Sequence, residues 1–95
     1  MRFEWDESKR RINLRKHGID FEDVTAAFES PMLTALDTRE DYGEERWIGV
    51  GIIQSVVVVI IFTERSHDSI RIISARKAIK HERQAYLKKI KDGLE

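Results

Sequence analysis

The chain has 95 residues, of which 36% are charged and 41% hydrophobic, and its 17 basic and 17 acidic side chains cancel to zero net charge. This length predicts a single domain, 1–95, and so many apolar residues at zero net charge exclude a long disordered chain. Because cysteine is absent and the longest apolar run (56–62) has seven residues, the sequence excludes disulfides, cysteine-ligated metals and a transmembrane helix, which needs roughly 20.

The N-terminal residues predict a short strand followed by a helix. Residues 2–5 alternate charged and aromatic side chains, which is typical of an edge strand. Asp6 is placed to cap a helix over 7–17, which Gly18 closes. We expect Ile12 to be the main inward-facing residue of this helix. One polar face of the helix carries Lys9, Asn13, Lys16 and His17.

A second helix is predicted to begin immediately, with Asp20 as its cap. Phe21, Val24 and Phe28 form an apolar stripe with helical spacing. Pro31 ends the helix, because the residue before a proline disfavours the helical conformation. Two helices joined so closely form an αα-hairpin.

The remaining pattern has the period of strands. A modest strand over 32–36 is followed by the polar segment DTREDYGEE, then by strands over 47–53, 56–62 and 70–76. The strand over 56–62 is apolar on both faces, so we expect it to be central and covered on both sides. Short turns, including a loop over 65–68, predict an antiparallel meander.

The chain ends in a predicted helix over 78–92, with a basic side opposite its apolar stripe. That stripe consists of Ile79, Tyr86, Leu87 and Ile90. Helices segregated from a meander predict an α+β fold of order β-α-α-β-β-β-α, in which helices pack on a curved antiparallel sheet.

The charges are unevenly distributed along the chain. Residues 1–19 carry +3, residues 20–45 carry −8, residues 46–70 are neutral, and residues 71–95 carry +5. If the two basic ends meet in space, they form a positive face that suits nucleic acid. Alternatively, these charges simply lie on solvated helix faces.

Two arginines lie in or beside the apolar strands. An arginine there needs an anion or a hydrogen-bonded partner, because an unpaired buried charge is costly. One interpretation pairs Arg65 or Arg76 with Glu64, Asp68 or Glu82. The other has both guanidinium groups converge on a phosphate, which their fork geometry suits.

The strand over 47–53 has two unlike faces. Alternate isoleucine and valine residues form one face, and Trp47, Gly49 and Gly51 form the other. A cleft over this bare face, with Trp47 as a stacking platform, suits a nucleobase. Equally, the glycines mark a bulge or make room for the last helix.

No motif in the sequence predicts a metal or a cofactor. His17, His67 and His81 are scattered, and Walker, GxGxxG and GxSxG motifs are absent. His17 is the best acid–base candidate because it shares a helix face with Lys9 and Lys16. The opening residues carry no signal-peptide pattern, so we expect a cytoplasmic protein that is not associated with a membrane.

Three segments are recognisable together: FEWDESKRRINLRKHGIDFEDV, DTREDYGEERWIGVG and IRIISARKAIKHERQAY. From about Phe3 to Tyr86 the chain resembles the BrnT family, toxins of bacterial type II toxin–antitoxin pairs with a RelE-like fold. The resemblance implies an endoribonuclease that cuts RNA and inhibits translation. It also implies neutralisation by a BrnA-like, DNA-binding antitoxin in a hetero-oligomer that represses their operon.

The mechanism that the resemblance implies is metal-independent cleavage by the ribose 2′-hydroxyl of the RNA. Such a reaction needs a base, charge stabilisation on the phosphate and an acid at the leaving oxygen. The catalytic candidates are Arg65 and Arg76 for the phosphate, with Glu64 or His17 as base. The candidates for RNA binding are Lys9, Trp47 and Tyr86, and Tyr86 is either an acid, a stacking group or a core residue.

A competing interpretation is a non-enzymatic binding module or degenerate toxin that acts only in a complex with a DNA-binding antitoxin. The discriminating feature is whether Arg65, Arg76 and the Trp47 face open onto one cleft or are paired and covered. We interpret the acidic stretch 37–45 as part of a surface for the antitoxin. Its charge also argues against tight, nonspecific RNA binding.

Overall fold

Five strands and three α-helices make up the described residues, 1–93, of this computed structural model; the last two residues of the predicted domain 1–95 lie outside them. The strands are β1 (Arg2–Glu4), β2 (Leu33–Leu36), β3 (Trp47–Ile53), β4 (Val56–Ser66) and β5 (Ser69–Lys77). The helices are α1 (Glu7–His17), α2 (Phe21–Val24) and α3 (Lys80–Gly93), with a 3₁₀ helix (Thr25–Glu29) continuing α2. None of the helices in 1–93 has the length and apolar content needed to span a membrane.

The strands form one mixed sheet in the order β1-β5-β4-β3-β2. Strands β2 to β5 are the predicted antiparallel meander, and β1 adds a short parallel pairing to β5. The α+β prediction with helices packed on a meander is therefore confirmed. All five strands predicted one by one are present, so the order β-α-α-β-β-β-α counts one strand too few.

Helix α1 begins and ends where its capping residues predict. The Asp6 carboxylate accepts hydrogen bonds from the backbone N–H groups of Ser8 (2.9 Å) and Lys9 (3.2 Å). At the other end Gly18 has a φ of 71°, and its N–H donates to the Leu14 carbonyl at 2.9 Å. Glycine suits this left-handed position because it has no Cβ to clash.

The inward-facing residue of α1 is Asn13, so the prediction of Ile12 was wrong: Ile12 is 56% exposed and Asn13 is 5% exposed. Strand β1 pairs only with Ser69–Arg71, so the outer edge of β5 is open beyond that point. The Asn13 carboxamide fills this gap by hydrogen bonding to the backbone of Ala75. An amide matches an open strand edge, whereas an isoleucine side chain leaves buried backbone groups unpaired.

The second predicted helix is short. Only Phe21–Val24 is α-helical, and the chain then tightens into the 3₁₀ helix before Pro31. Phe21 and Val24 are fully buried, and the Phe28 ring contacts that of Phe62, with centroids 5.1 Å apart. The predicted apolar stripe therefore anchors this segment to the sheet, although most of the segment is not α-helical.

The pairing of β4 with β5 contains irregularities that reverse the regular side-chain alternation of a strand. Ile61 pairs with Ser74 and Phe62 with Ile72, so the residue between them on β5 is bulged. A bulge reverses the alternation of the residues after it, and Ala75 therefore faces the same core as Ile72 rather than the opposite side. Strand β4 also runs through Ser66, which replaces the first half of the loop predicted over 65–68.

The sheet has a core on each side. Helix α2 and the 3₁₀ helix cover one face, where Val58, Ile60 and Phe62 of β4 are buried. Helix α3 covers part of the other face, where Val57 and Val59 are buried. The prediction that this strand is central and covered on both sides is confirmed.

Helix α3 uses half of its predicted apolar stripe. Tyr86 is buried and Ile90 packs beside it, but Ile79 and Leu87 are exposed. The helix begins at Lys80, so Ile79 precedes it, and Leu87 lies about 100° around the axis from Tyr86. Because α3 covers only part of its face, the sheet beside its N-terminus remains open to solvent.

Candidate active site

A cleft of about 320 Å³ lies on this open part of the sheet. Its floor is apolar and consists of Ile48, Val50, Val59 and Ile61. Its polar rim consists of His17, Arg39, Ser74, Arg76 and Glu82. We call this site the arginine cleft. It joins the end of α1 to β5 and α3, so the two basic ends of the chain do meet.

The position of His17 is set by the contact of α1 with β5. Asn13 hydrogen-bonds to Ala75, and His17 lies one helical turn further along the same face of α1. Arg76 comes directly after Ala75 in β5, on the opposite side of the strand. One anchoring contact therefore brings an imidazole and a guanidinium group, 59 positions apart in sequence, to one cleft.

Arg76 forms a two-pronged ion pair with Glu82 in the first turn of α3. Its Nη1 and Nη2 donate to Glu82 Oε1 and Oε2 at 2.8 and 2.9 Å. Glu82 Oε1 also accepts from the Ile79 backbone N–H at 2.9 Å. The hydrogen bonds from Arg76, then that from Ile79, lower the pKa of Glu82 to about 2. Arg76 is still 41% exposed, so an anion in the cleft has access to it.

Arg39 is the second cation on the rim, and it comes from the loop after β2. Its Nε and Nη2 donate to the two carboxylate oxygens of Asp37, each at 2.8 Å. These hydrogen bonds hold the pKa of Asp37 well below its usual range. The Asp37 side chain is 1% exposed, whereas that of Arg39 is 65% exposed. A buried carboxylate thus holds an exposed guanidinium group at the rim.

Arg39 was not among the residues predicted from the sequence. It stands inside the acidic stretch 37–45, and that stretch was interpreted as a surface for a partner. The available signal was its isolation, since it is the one basic residue among ten charged residues in 20–45.

A second cleft, of about 510 Å³, lies at the far end of β4, and we call it the tryptophan cleft. Its lining includes Trp47, Thr63, Glu64, Arg65 and two glutamates that precede β3. Arg65 Nε lies 3.1 Å from Glu4 Oε1, and both side chains are about half exposed. With three glutamates against one arginine, this cleft is acidic and repels phosphate.

The two predicted arginines do not converge on one site. Arg76 pairs across the sheet with Val59, and Arg65 lies six residues further along β4, or about 20 Å at the rise of a strand. His17 shares the first cleft with Arg76, whereas Glu64 and Trp47 share the second with Arg65. The expected pairing of Arg76 with Glu82 is confirmed, but the partner of Arg65 is Glu4. Both arginines are paired, and neither is covered.

The glycine face of β3 is covered rather than open. A Cβ on Gly49 would lie 2.7 Å from Met32 Sδ and 3.0 Å from Phe62 Cε1. A Cβ on Gly51 would lie 3.3 Å from that of Ala27. The glycines therefore make room for neighbours, as the second interpretation held, but these neighbours are Met32, Phe62 and Ala27 and not the last helix.

Two further predicted RNA contacts lie outside both clefts. Lys9 is exposed near the start of α1 and lines neither cleft. Tyr86 lies in the core beneath α3, and its hydroxyl donates to the Pro31 carbonyl at 2.7 Å. Burial raises the pKa of Tyr86. Within residues 1–93, no group of three or more His, Cys, Asp or Glu side chains is placed to hold a metal ion.

Comparisons with known proteins identify the family. The family model described as the ribonuclease toxin BrnT of type II toxin–antitoxin systems matches residues 5–82, which include the whole arginine cleft. The crystal structure of the Brucella abortus ribonuclease toxin BrnT is 28% identical in sequence, with a TM-score of 0.65, over 84% of this chain and 99% of that chain. No curated protein matches the chain. This chain therefore belongs to the BrnT family, the ribonuclease toxins of type II toxin–antitoxin systems.

Proposed function

We propose that this protein is a toxin that cleaves RNA in the arginine cleft without a metal, and thereby inhibits translation. The observation that carries the proposal is the meeting of His17 and Arg76 at one cleft with an apolar floor. Membership of a family of ribonuclease toxins supplies the class of reaction.

The chemistry that this site suits is attack by a ribose 2′-hydroxyl on the adjacent phosphate. The 2′-hydroxyl loses its proton as its oxygen forms a bond to phosphorus, and the bond from phosphorus to the 5′-oxygen breaks. The leaving 5′-oxygen takes a proton from water, so the products are a 2′,3′-cyclic phosphate and a 5′-hydroxyl. The negative charge that develops on the phosphate needs fixed donors, and a guanidinium group supplies them. Arg76 is the proposed donor, held in place by the hydrogen bonds it makes to Glu82.

His17 is the proposed proton-transfer group of the reaction. An imidazole is the side chain best suited to exchange protons near neutral pH. It stands at the C-terminal end of α1, where the contact of that helix with β5 holds it at the rim of the cleft. In the proposed reaction His17 accepts the proton of the 2′-hydroxyl.

The apolar floor gives the cleft a second property. The side chains of the floor have no hydrogen-bonding groups, so a ribose or base that covers them excludes water; they are Ile48, Val50, Val59 and Ile61. Electrostatic attraction between Arg76 and a phosphate is stronger in such a site than in bulk water. This property suits a reaction whose transition state carries more charge on the phosphate than the substrate does.

The tryptophan cleft is the alternative location for catalysis. Arg65 would stabilise the phosphate there, Glu64 would act as base, and Trp47 would stack on a nucleobase. Its acidic lining weighs against a phosphate, so we propose that Arg65 and Trp47, with Lys9, contact RNA only outside the reacting centre. Variants of Arg65 and Arg76 separate the two locations.

A second candidate function is a binding module without catalysis. The observation that favours it is that Arg39, Arg65 and Arg76 each have a carboxylate partner. Arginines matched in this way need no phosphate to neutralise them. In that case the protein acts only through its complex with an antitoxin.

We propose that the antitoxin is a BrnA-like DNA-binding protein, which forms a hetero-oligomer with this chain. The acidic stretch 37–45 is the proposed contact for basic side chains of that partner. The RNA target and the partner place the proposed activity in the cytoplasm.

The test is cleavage of a defined RNA by purified, antitoxin-free protein in EDTA. A matched RNA carries 2′-deoxyribose at the cut site. We expect the all-ribose RNA to be cut to a 2′,3′-cyclic phosphate end and the substituted RNA to stay intact. Cleavage of both would contradict attack by the 2′-hydroxyl. No cleavage by folded protein, with or without ribosomes, would favour the binding module.

A further inference from the structure

The loop that carries Arg39 is held together by a buried carboxylate. Asp37 accepts from the backbone N–H of Arg39 at 3.2 Å and from the Tyr42 hydroxyl at 3.1 Å, in addition to the two bonds from the Arg39 guanidinium. All of these donors lie within five residues of Asp37. Burying a carboxylate is costly unless it is fully hydrogen-bonded, and this loop supplies every donor itself.

Further contacts hold the ends of the same loop. The Asp37 N–H donates to the Arg46 carbonyl at 2.7 Å, which extends the pairing of β2 and β3 into the loop. The Arg46 guanidinium lies over the Tyr42 ring, 4.3 Å from its centroid. Arg46 Nε also lies 3.1 Å from Glu44 Oε2. These contacts hold the loop, and the two hydrogen bonds to Asp37 set the direction of the Arg39 side chain.

The way in which Arg39 meets Asp37 leaves part of its guanidinium group available. A guanidinium group has two edges that can each grip an anion with parallel hydrogen bonds. Arg39 uses the edge formed by Nε and Nη2 for Asp37. The end formed by Nη1 and Nη2 is left for a second anion. In Arg76, by contrast, Nη1 and Nη2 both donate to Glu82.

Arg39 and Arg76 line the same cleft. Their charges are close enough to act on each other, since the nearby charge of Arg39 opposes the rise that Glu82 causes in the pKa of Arg76. Two like charges at one rim repel, and an anion between them removes that repulsion. Among the described residues, Glu82 is the one carboxylate that lines this cleft, so the cleft carries two cations against one anion, a balance that suits a phosphate.

We propose that Arg39 is a phosphate-binding residue of the arginine cleft and that Asp37 is the positioning residue that directs it there. The proposal rests on the proposed function, because the phosphate is that of the RNA substrate. Asp37 itself contacts no RNA. It orients the guanidinium so that the free end meets a phosphate without loss of side-chain entropy on binding.

The test measures binding of a 2′-O-methyl RNA oligonucleotide, which cannot be cleaved, by fluorescence anisotropy across a salt series. Arg39→Ala should weaken binding about tenfold, as expected for a lost charge-assisted hydrogen bond. It should also reduce the magnitude of the salt slope by about 0.7, the value for one phosphate contact on a single strand. Asp37→Asn keeps the cation, so it should leave the salt slope unchanged while lowering kcat on the normal RNA.

A paired variant keeps the test valid if Arg39→Ala does not fold. Asp37→Asn with Arg39→Gln removes both charges and leaves no buried carboxylate without a partner. We expect this double variant to bind RNA as weakly as Arg39→Ala does. Arg15→Ala removes an exposed arginine that lines neither cleft, and it should bind like the parent.

Two results would overturn the proposal. If Arg39 only neutralises Asp37, the double variant will be stable and bind RNA with the parental affinity and salt slope. The second result is that Asp37→Asn matches the parent in both binding and kcat, which removes the positioning role. Failure of the proposed function is distinguishable: the parent would then not cleave RNA, or Arg76→Ala would bind and cleave it as the parent does. Failure of this inference alone leaves the parent active and Arg76→Ala impaired.

Discussion

The carboxamide of Asn13 bonds to both backbone groups of Ala75: its Oδ1 accepts from the Ala75 N–H at 3.1 Å and its Nδ2 donates to the Ala75 carbonyl at 2.9 Å. Nδ2 also donates to the Ile19 carbonyl at 3.0 Å. One buried side chain thus substitutes for a neighbouring strand along the open edge of β5. The same contact sets where His17 lies relative to Arg76.

Replacing Asn13 with alanine is expected to reduce both stability and activity. The buried N–H and carbonyl of Ala75 would lose their partner, which costs about 1–3 kcal/mol. Thermal unfolding monitored by circular dichroism measures this loss, at about 4–8 °C per kcal/mol for a domain of this size. Ile12→Ala, on the exposed neighbour, is the control and should be close to neutral. Equal melting temperatures for the two variants would contradict the anchoring role of Asn13.

Glu82 should make stability depend on pH at the acidic end. Its pKa in the folded protein is lowered from 4.5 to about 2 by Arg76 and the Ile79 N–H. The contribution of Glu82 to the free energy of unfolding is therefore complete above about pH 4.5, and it disappears as the pH falls from about 4.5 to about 2. Glu82→Gln should be less stable than the parent at pH 7, and the difference should shrink through this range. Urea unfolding at pH 7, 5 and 3 checks this, and a constant difference would contradict it.

Tyr86 is expected to act in the core and not in the reaction. Tyr86→Phe keeps the ring but removes the donor to the Pro31 carbonyl, which should cost about 1 kcal/mol. RNA cleavage by the folded variant should match the parent. Loss of RNA cleavage by a variant of unchanged stability would instead support Tyr86 as an acid or a stacking group.

The local signals of the sequence were sufficient for the elements but not for the contacts between them. Capping residues and hydrophobic periodicity predicted the ends of α1 and the strands of the meander. Asn13 was assigned to a polar face of α1 from its helical spacing. Its partner, Ala75, is 62 residues away in sequence, so nothing local indicated that Asn13 is buried. The bulge in β5 likewise depends on its pairing with β4, so the parity of Ala75 could not be read from β5 alone.

The candidate site was predicted in parts. His17 and Arg76 were both predicted, but the sequence did not indicate that they meet. Their meeting depends on the hydrogen bonds of Asn13 to Ala75, which cannot be predicted from either segment alone. Arg65 was grouped with Arg76 on adjacent strands, although the antiparallel register places them about 20 Å apart. Arg39 was missed because the acidic stretch around it was interpreted as a whole, although Arg39 is the one basic residue in 20–45.

The most direct test of the central claim compares RNA cleavage in EDTA by the parent, Arg76→Ala, Arg65→Ala and Arg15→Ala, with folding checked by circular dichroism. We predict that Arg76→Ala loses at least about 100-fold in kcat, the scale of a lost donor to a developing oxyanion. Arg65→Ala and Arg15→Ala should stay within a small factor of the parent. Full activity of Arg76→Ala together with loss in Arg65→Ala would contradict the claim and move catalysis to the tryptophan cleft.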